Sequence, residues 1–137
     1  MSLLSHEPFS AKDVSLMNVL QTAYIGDAVW ELIVRDHLIR KGLNVHHMHA
    51  ECIRHVSARA QAAFLQEITG ELDPFEADLV KRGRNAHARH PVPKNQHPED
   101  YAMATAFETL IGYLYLTGNT DRLEYLTNLI IGGNGHG

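Results

Sequence analysis

MNVLQTAYIGDAVWELIVRDHLIRK, residues 17–41, is the stretch that decides the fold. Its apolar side chains recur three or four residues apart, as on one face of a helix, and comprise Leu20, Tyr24, Val29, Trp30, Ile33, Val34 and Leu38. This spacing predicts one long helix that Gly42 ends. Gly26 is a poor helix former, which indicates close approach by a neighbouring backbone or ligand, unless the glycine is simply tolerated.

Similar periodicity and end signals predict helices along the rest of the chain. Asp73, Pro74 and Glu76 supply a cap, a first-turn proline and a capping box for one of them. The predicted helices span about 50–68, 73–83, 99–116 and 120–131, with a connector or short helix at 44–50 and a stop at Gly118. The predicted fold class is therefore all-α, in one domain over 1–137, with its core at about 14–131 and a flexible glycine-rich tail at 132–137.

The composition is that of an ordinary folded domain, with 45% apolar and 20% charged residues in a chain of 137. The single cysteine excludes an intrachain disulfide and fits a reducing, cytoplasmic location. No signal-peptide pattern and no apolar run long enough to span a bilayer is visible, so we expect no membrane association.

Positive charge is concentrated in one stretch, although the net charge of the chain is −4. Residues 81–94 read KRGRNAHARHPVPK and contain no acidic side chain. Three prolines at 91, 93 and 98 predict a loop over 84–98. A loop this long in a small domain is often functional.

Two acidic residues, Asp27 and Glu108, lie within apolar helical sequence. A buried carboxylate costs several kcal/mol unless it gains a cation, hydrogen bonds or a metal. Each could be part of an ordinary ion pair or lie on a solvated stripe. Alternatively, two carboxylates from different helices that meet beside the basic loop could hold Mg²⁺ for phosphodiester hydrolysis, because that ion prefers oxygen ligands and binds through one or two carboxylates plus a substrate phosphate. Spacing along the chain does not show whether they meet.

Four motifs carry a resemblance to a known family. LQTAYIGDAVWE at 20–31 resembles the signature helix of the ribonuclease III family, and ATAFETLIG at 104–112 resembles its second acidic motif. RHVSARAQA at 54–62 and KRGRNA at 81–86 are similar to the Mini-ribonuclease III branch in particular. The similarity runs from about Val14 to Ile131, without the double-stranded-RNA-binding domain that full-length members carry.

The resemblance implies an all-helical endonuclease domain that works as a homodimer. It implies Mg²⁺-dependent cleavage of double-stranded RNA that leaves 5′-phosphate and 3′-hydroxyl ends, and a role in maturation of the large-subunit ribosomal RNA precursor. Asp27 and Glu108 fall on the catalytic, metal-binding acids of the family. Tyr24 falls on an aromatic position at the dimer interface, although an intramolecular core position is the alternative.

The match to the family has two gaps. Full-length ribonucleases III carry four acidic residues in each site, and Ala23 and Thr105 stand at two of those positions here. The number and geometry of the metal ions are therefore open. The two remaining acids are those most needed for one metal ion.

Without an accessory domain, the catalytic domain must itself contact RNA, whose helices proteins recognise mainly by shape, phosphates and 2′-hydroxyls. The candidates for these contacts are Lys81, Arg82, Arg84, Asn85, Arg89 and Lys94. The alternative is a solvated loop whose charges contribute little.

Three further features favour ordinary structural roles. Glu31 could be a third metal ligand, but a surface pair with Arg35 one turn later is the favoured interpretation. The sequence HHMH at 46–49 invites a zinc site, yet it lacks the cysteine partners at defined spacing that such sites use. Cys52 fits a small core residue.

Two other function classes compete with the nuclease. A non-catalytic RNA-binding or ribosome-associated relative is supported by Ala23 and Thr105 and opposed by the intact Asp27 and Glu108. A metal phosphohydrolase of the His-Asp type needs an adjacent His-Asp pair, and the chain offers only the reversed order at Asp36 and His37.

Overall fold

Two long helices form the centre of the computed structural model, which describes residues 7–86 and 94–132. In these ranges the regular structure is helical and no strand is present, which confirms the all-α class. The α-helices in chain order are α1 (Ala11–Leu16), α2 (Val19–Arg40), α3 (Val45–Val56), α4 (Ala58–Ile68), α5 (Pro74–Asn85), α6 (Pro98–Leu116) and α7 (Thr120–Thr127). A 3₁₀ turn (Thr69–Glu71) follows α4, and a π-helical turn (Asn128–Gly132) follows α7.

The prediction for α2 is confirmed at both ends. Asn18 caps the helix, since its side-chain oxygen accepts a hydrogen bond from the backbone N–H of Leu20 at 2.9 Å. Gly42 follows the helix with φ at +76°, the left-handed conformation that glycine adopts without strain.

The prediction of one helix over 50–68 was wrong, because Ser57 interrupts it. The presumed connector is already helical from Val45, and Asn44 caps it. At Ser57 the backbone is extended, and the serine Oγ accepts a hydrogen bond from the N–H of Ala60 at 3.2 Å. A serine side chain can replace a backbone acceptor in this way, and apolar periodicity carries no sign of it.

The capping box of α5 is confirmed, but Gly83 does not end that helix. The backbone N–H of Glu76 bonds to Asp73, and the Glu76 side chain accepts the N–H of Asp73. The helix continues to Asn85 because Gly83 serves packing instead. A Cβ at Gly83 would lie 2.6 Å from the Oγ1 of Thr109 on α6.

The end of the chain follows its predicted course with two adjustments. The helix α6 begins at Pro98, and Gly118 follows it with φ at +71°. The last helix is α-helical only to Thr127, after which Asn128–Gly132 winds as a π-helical turn. Residues 133–137 of the predicted tail, and 87–93 of the predicted loop, lie outside the described residues.

The core lies where α2, α4, α5 and α7 pack around α6. Trp30 and Phe107 are completely buried and pack edge to face with ring centroids 5.0 Å apart. The indole N–H of Trp30 donates to the carbonyl of His55 at 2.8 Å, which ties α2 to the end of α3. Among the described residues, no helix is both long and apolar enough to cross a membrane.

Candidate active site

The backbones of α2 and α6 touch where the two helices cross. A Cβ at Gly26 would lie only 1.8 Å from the carbonyl oxygen of Glu108, and one at Gly112 would lie 2.0 Å from that of Thr22. Only glycine leaves space for such an approach. The glycine in α2 is therefore explained by a neighbouring backbone, and the crossing brings Asp27 beside Glu108.

The carboxyl groups of Asp27 and Glu108 are close enough to interact directly. Burial, followed by the negative charge of Asp27 and a hydrogen-bonding contact with it, raises the pKa of Glu108 to about 8. Asp27 is exposed, whereas Glu108 is half-buried. Within 7–86 and 94–132 neither acid forms a salt bridge, so the ordinary ion-pair alternative does not describe this pair.

A third residue of the site, Gln61, received no role from the sequence. Its side chain is 1% exposed on α4, and its amide contacts Glu108 in a way that lowers the pKa of that carboxyl. Its Nε2 also donates to the carbonyl of Val56 at 3.0 Å. The available signal was a long amide in register with Leu65 and Ile68 on the buried face of the helix.

The pair of acids fits a divalent cation of the hard type. Two adjacent carboxylates without a basic partner supply the oxygen ligands and the negative charge that Mg²⁺ prefers, and this ion often uses one or two carboxylates. Ala23 and Thr105, which stand at the two family positions without an acid, are both buried at 5% exposure. In the described part of the chain, no group of three or more His, Cys, Asp or Glu side chains could hold a metal.

Glu31 does not join this pair. Its carboxylate forms a salt bridge with Arg35 one turn later on the exposed side of α2. The favoured interpretation of a helix-surface pair is thus confirmed.

Comparison with known proteins identifies the family. The ribonuclease III domain matches residues 20–119 of this chain. The chain belongs to the ribonuclease III family. Within it, the chain is 43% identical over 127 residues to a Mini-ribonuclease 3 of Clostridium tetani, covering 91% of this chain and 83% of the relative. It is 46% identical over 106 residues to that of Symbiobacterium thermophilum, covering 77% and 81%.

A solved structure agrees with this assignment. A crystal structure of a protein from Fusobacterium nucleatum superposes with a TM-score of 0.79 at 28% identity, covering 89% of this chain and 98% of the other. The chain is thus a ribonuclease III-type endoribonuclease of the Mini-ribonuclease 3 branch, as the sequence resemblance implied.

In this ribonuclease III domain, the six candidates for RNA contact differ in their surroundings. Arg82 is half-buried and donates to the carbonyl of Ser15 at 3.0 Å, which gives it a structural partner. Arg84 forms a 2.9 Å salt bridge with Glu99. Lys81, Asn85 and Lys94 are exposed, as Arg84 is, and Arg89 lies outside the described residues.

Tyr24 is 83% exposed, so the alternative of an intramolecular core position was wrong. Leu16, near the start of α2, is 75% exposed as well. Cys52 is half-buried and packs against the core, close to its predicted role. The three histidines of the HHMH stretch are exposed near the start of α3, as a polar segment would be.

Proposed function

We propose that this ribonuclease III-type enzyme is a Mg²⁺-dependent endoribonuclease that cuts double-stranded RNA and leaves 5′-phosphate and 3′-hydroxyl ends. The observation that carries the proposal is the meeting of Asp27 and Glu108 at the α2–α6 crossing with no described basic side chain to pair them. A carboxyl group whose pKa burial and a facing carboxylate raise strongly, as at Glu108, is typical of a functional site rather than of a stabilising ion pair.

Asp27 and Glu108 are the residues that would hold the ion. Mg²⁺, when bound, supplies positive charge that lowers the pKa of a water and offsets charge on the phosphodiester. Glu108 carries its proton up to about pH 8 in the metal-free protein, so it must lose that proton to become a ligand. Metal affinity should therefore rise with pH in the neutral range.

Exposed polar and basic side chains at the end of α5 and before α6 support the proposed substrate class. Lys81, Asn85 and Lys94 are exposed and available for phosphate or 2′-hydroxyl contacts, and we extend this role to Arg82, Arg84 and Arg89. Arg84 would exchange Glu99 for a phosphate, because an exposed salt bridge is worth at most about 1 kcal/mol. Such contacts make binding fall steeply with added salt.

We further propose a homodimer whose interface includes Tyr24. Tyr24 and Leu16 are both exposed and offer apolar area that a second copy of the chain would cover. Two copies would double the basic surface and place one cleavage centre near each strand. Cytoplasmic processing of the large-subunit ribosomal RNA precursor is the natural role that fits this enzyme.

Incubation of a double-stranded RNA with the protein, in Mg²⁺ or in chelator, tests the proposal. We expect the wild type to cut in Mg²⁺ alone and Asp27→Asn to bind the RNA without cutting it. Ligation of the products would show whether they carry 5′-phosphate and 3′-hydroxyl ends. RNA binding without cutting by every form would establish the non-catalytic relative instead, and a monomer in sedimentation at micromolar concentration would refute the Tyr24 interface.

A further inference from the structure

The amide of Gln61 has a fixed orientation. Its side chain lies on α4 and is 1% exposed, and Nε2 donates to the carbonyl of Val56 at 3.0 Å. A carbonyl accepts hydrogen bonds and cannot donate them, so the NH₂ group, not Oε1, must face Val56. This contact sets the rotation of the whole amide.

The helix break at Ser57 creates the acceptor that fixes this orientation. In an unbroken helix the carbonyl of Val56 would accept the N–H of Ala60. Here the N–H of Ala60 bonds to the Oγ of Ser57 at 3.2 Å, which leaves the Val56 carbonyl to the amide of Gln61. The break therefore anchors a side chain whose amide also contacts Glu108.

The NH₂ group and the Oε1 atom of the Gln61 amide differ in their hydrogen-bond partners. The NH₂ group serves Val56 and favours the ionised form of Glu108. Among the described residues, Oε1 is the buried side-chain oxygen without a hydrogen-bond partner. Burying an unpartnered oxygen destabilises a fold, and an apolar side chain of the same length would avoid that loss. Packing alone thus does not account for a glutamine at this position.

We propose that Gln61 is the positioning residue of Glu108, linking the Val56 carbonyl to the Glu108 carboxyl and holding it toward Asp27. The inference rests on the proposed metal role of these two acids. Groups that orient a metal ligand from outside the coordination sphere affect metal affinity about 10- to 100-fold. Gln61 would act in this way, since an amide NH₂ group that favours the ionised carboxylate does not compete with it for the cation.

Gln61→Met tests this role with Leu65→Met as the matched control. Both residues are 1% exposed, lie one turn apart on α4 and become methionine, but only the first change removes an amide. Mn²⁺ binding to the RNA-free protein is measured by electron paramagnetic resonance. We expect affinity to fall about tenfold or more in Gln61→Met and to stay near wild type in the control. The Mg²⁺ concentration for half-maximal cleavage should rise while the KM for RNA is unchanged.

A folded Gln61→Met protein with wild-type Mn²⁺ affinity would overturn the proposal. If that variant does not fold, the wild type labelled with ¹⁵N in its glutamine side chains gives the answer. The other three glutamines, Gln21, Gln66 and Gln96, are exposed, so the amide of Gln61 is recognised by slow hydrogen exchange. We expect its signals to shift on titration with Mg²⁺, and unchanged signals would overturn the role.

The same Mn²⁺-binding measurements distinguish a failure of the role of Gln61 from a failure of the proposed function. Equal Mn²⁺ binding by wild type and Asp27→Asn would refute the proposed metal site, and the proposed role of Gln61 with it. Loss of binding in Asp27→Asn, with binding retained in Gln61→Met, would overturn only the role of Gln61.

Discussion

Glu76 and Glu108 are two acids on neighbouring helices whose surroundings are opposite. Glu76 is 4% exposed and accepts two hydrogen bonds from Arg122 at 2.7 and 2.9 Å. The contact with Arg122 lowers the pKa of Glu76. Burial and the charge of Asp27 instead raise the pKa of Glu108 to about 8.

The difference shows what each acid does for the molecule. The guanidinium of Arg122 neutralises Glu76 and also donates to the carbonyl of Glu71, so this acid joins α5 to α7. Glu108 and Asp27 repel one another when both are ionised, and either a proton on Glu108 or a bound cation relieves that repulsion. One glutamate is therefore committed to stability, whereas the other is available for binding.

The largest expected effect is on cleavage. Glu108→Gln should lower the rate on the order of 10³-fold, because loss of metal assistance removes several kcal/mol of transition-state stabilisation. Glu76→Gln, the matched change at the other acid, should cut at close to the wild-type rate below its unfolding temperature. Single-turnover cleavage of a duplex RNA measures both. Equal losses in the two variants would mean that the comparison does not separate function from stability.

The second effect is on stability, and here Glu76→Gln, not Glu108→Gln, should show the loss. Glu76→Gln should lower the free energy of unfolding by about 1.5–3 kcal/mol, the range for hydrogen bonds that involve a charged group. Glu108→Gln should leave it unchanged or raise it in chelator, since folded Glu108 must take up a proton at neutral pH and a glutamine need not. Urea unfolding at neutral pH measures both changes, and destabilisation by Glu108→Gln as large as that by Glu76→Gln would break the contrast.

The third effect is the dependence of stability on pH. In chelator, folded Glu108 holds a proton that the unfolded chain loses above about 4.5, so its contribution makes stability fall as pH rises from 4.5 to about 8. The pKa of Glu76 is lowered on folding, so its contribution is present above 4.5 and is lost as pH falls through its folded value.

Unfolding temperatures of wild type and Glu108→Gln across the neutral range isolate the contribution of Glu108 to stability. The contributions of the other titrating groups cancel in the difference between the two proteins. We expect the variant to gain stability relative to wild type as pH rises toward 8. A difference that stays constant with pH would show that Glu108 ionises as an ordinary exposed carboxyl does.

Local signals in the sequence predicted the parts of the fold that local chemistry controls. The long helix α2, its stop at Gly42 and the capping box at Asp73 depend on residues within one or two turns of each other. The interruption at Ser57 was missed because a serine between regularly spaced apolar residues is also expected on the solvated face of an unbroken helix. The packing role of Gly83 was missed because the contact that requires a glycine there lies on another helix.

For the candidate site, too, the sequence predicted some residues and missed others. Asp27 and Glu108 stood out because acids in apolar helical sequence are costly, and the family motifs gave them a role. The partner of Glu76 is Arg122, 46 residues away, and no spacing rule predicts such a pair. Gln61 was missed for the same reason, since its contact with Glu108 depends on how α4 packs on α6.

The sequence by itself determined the helices, the family and the two acids, because periodicity, capping and motif residues act within short segments. Tertiary structure alone decided which carboxylate received a cation from the chain and which met another carboxylate. That outcome depends on the crossing of α2 and α6 at Gly26 and Gly112, where bare backbones approach more closely than any side chain would allow.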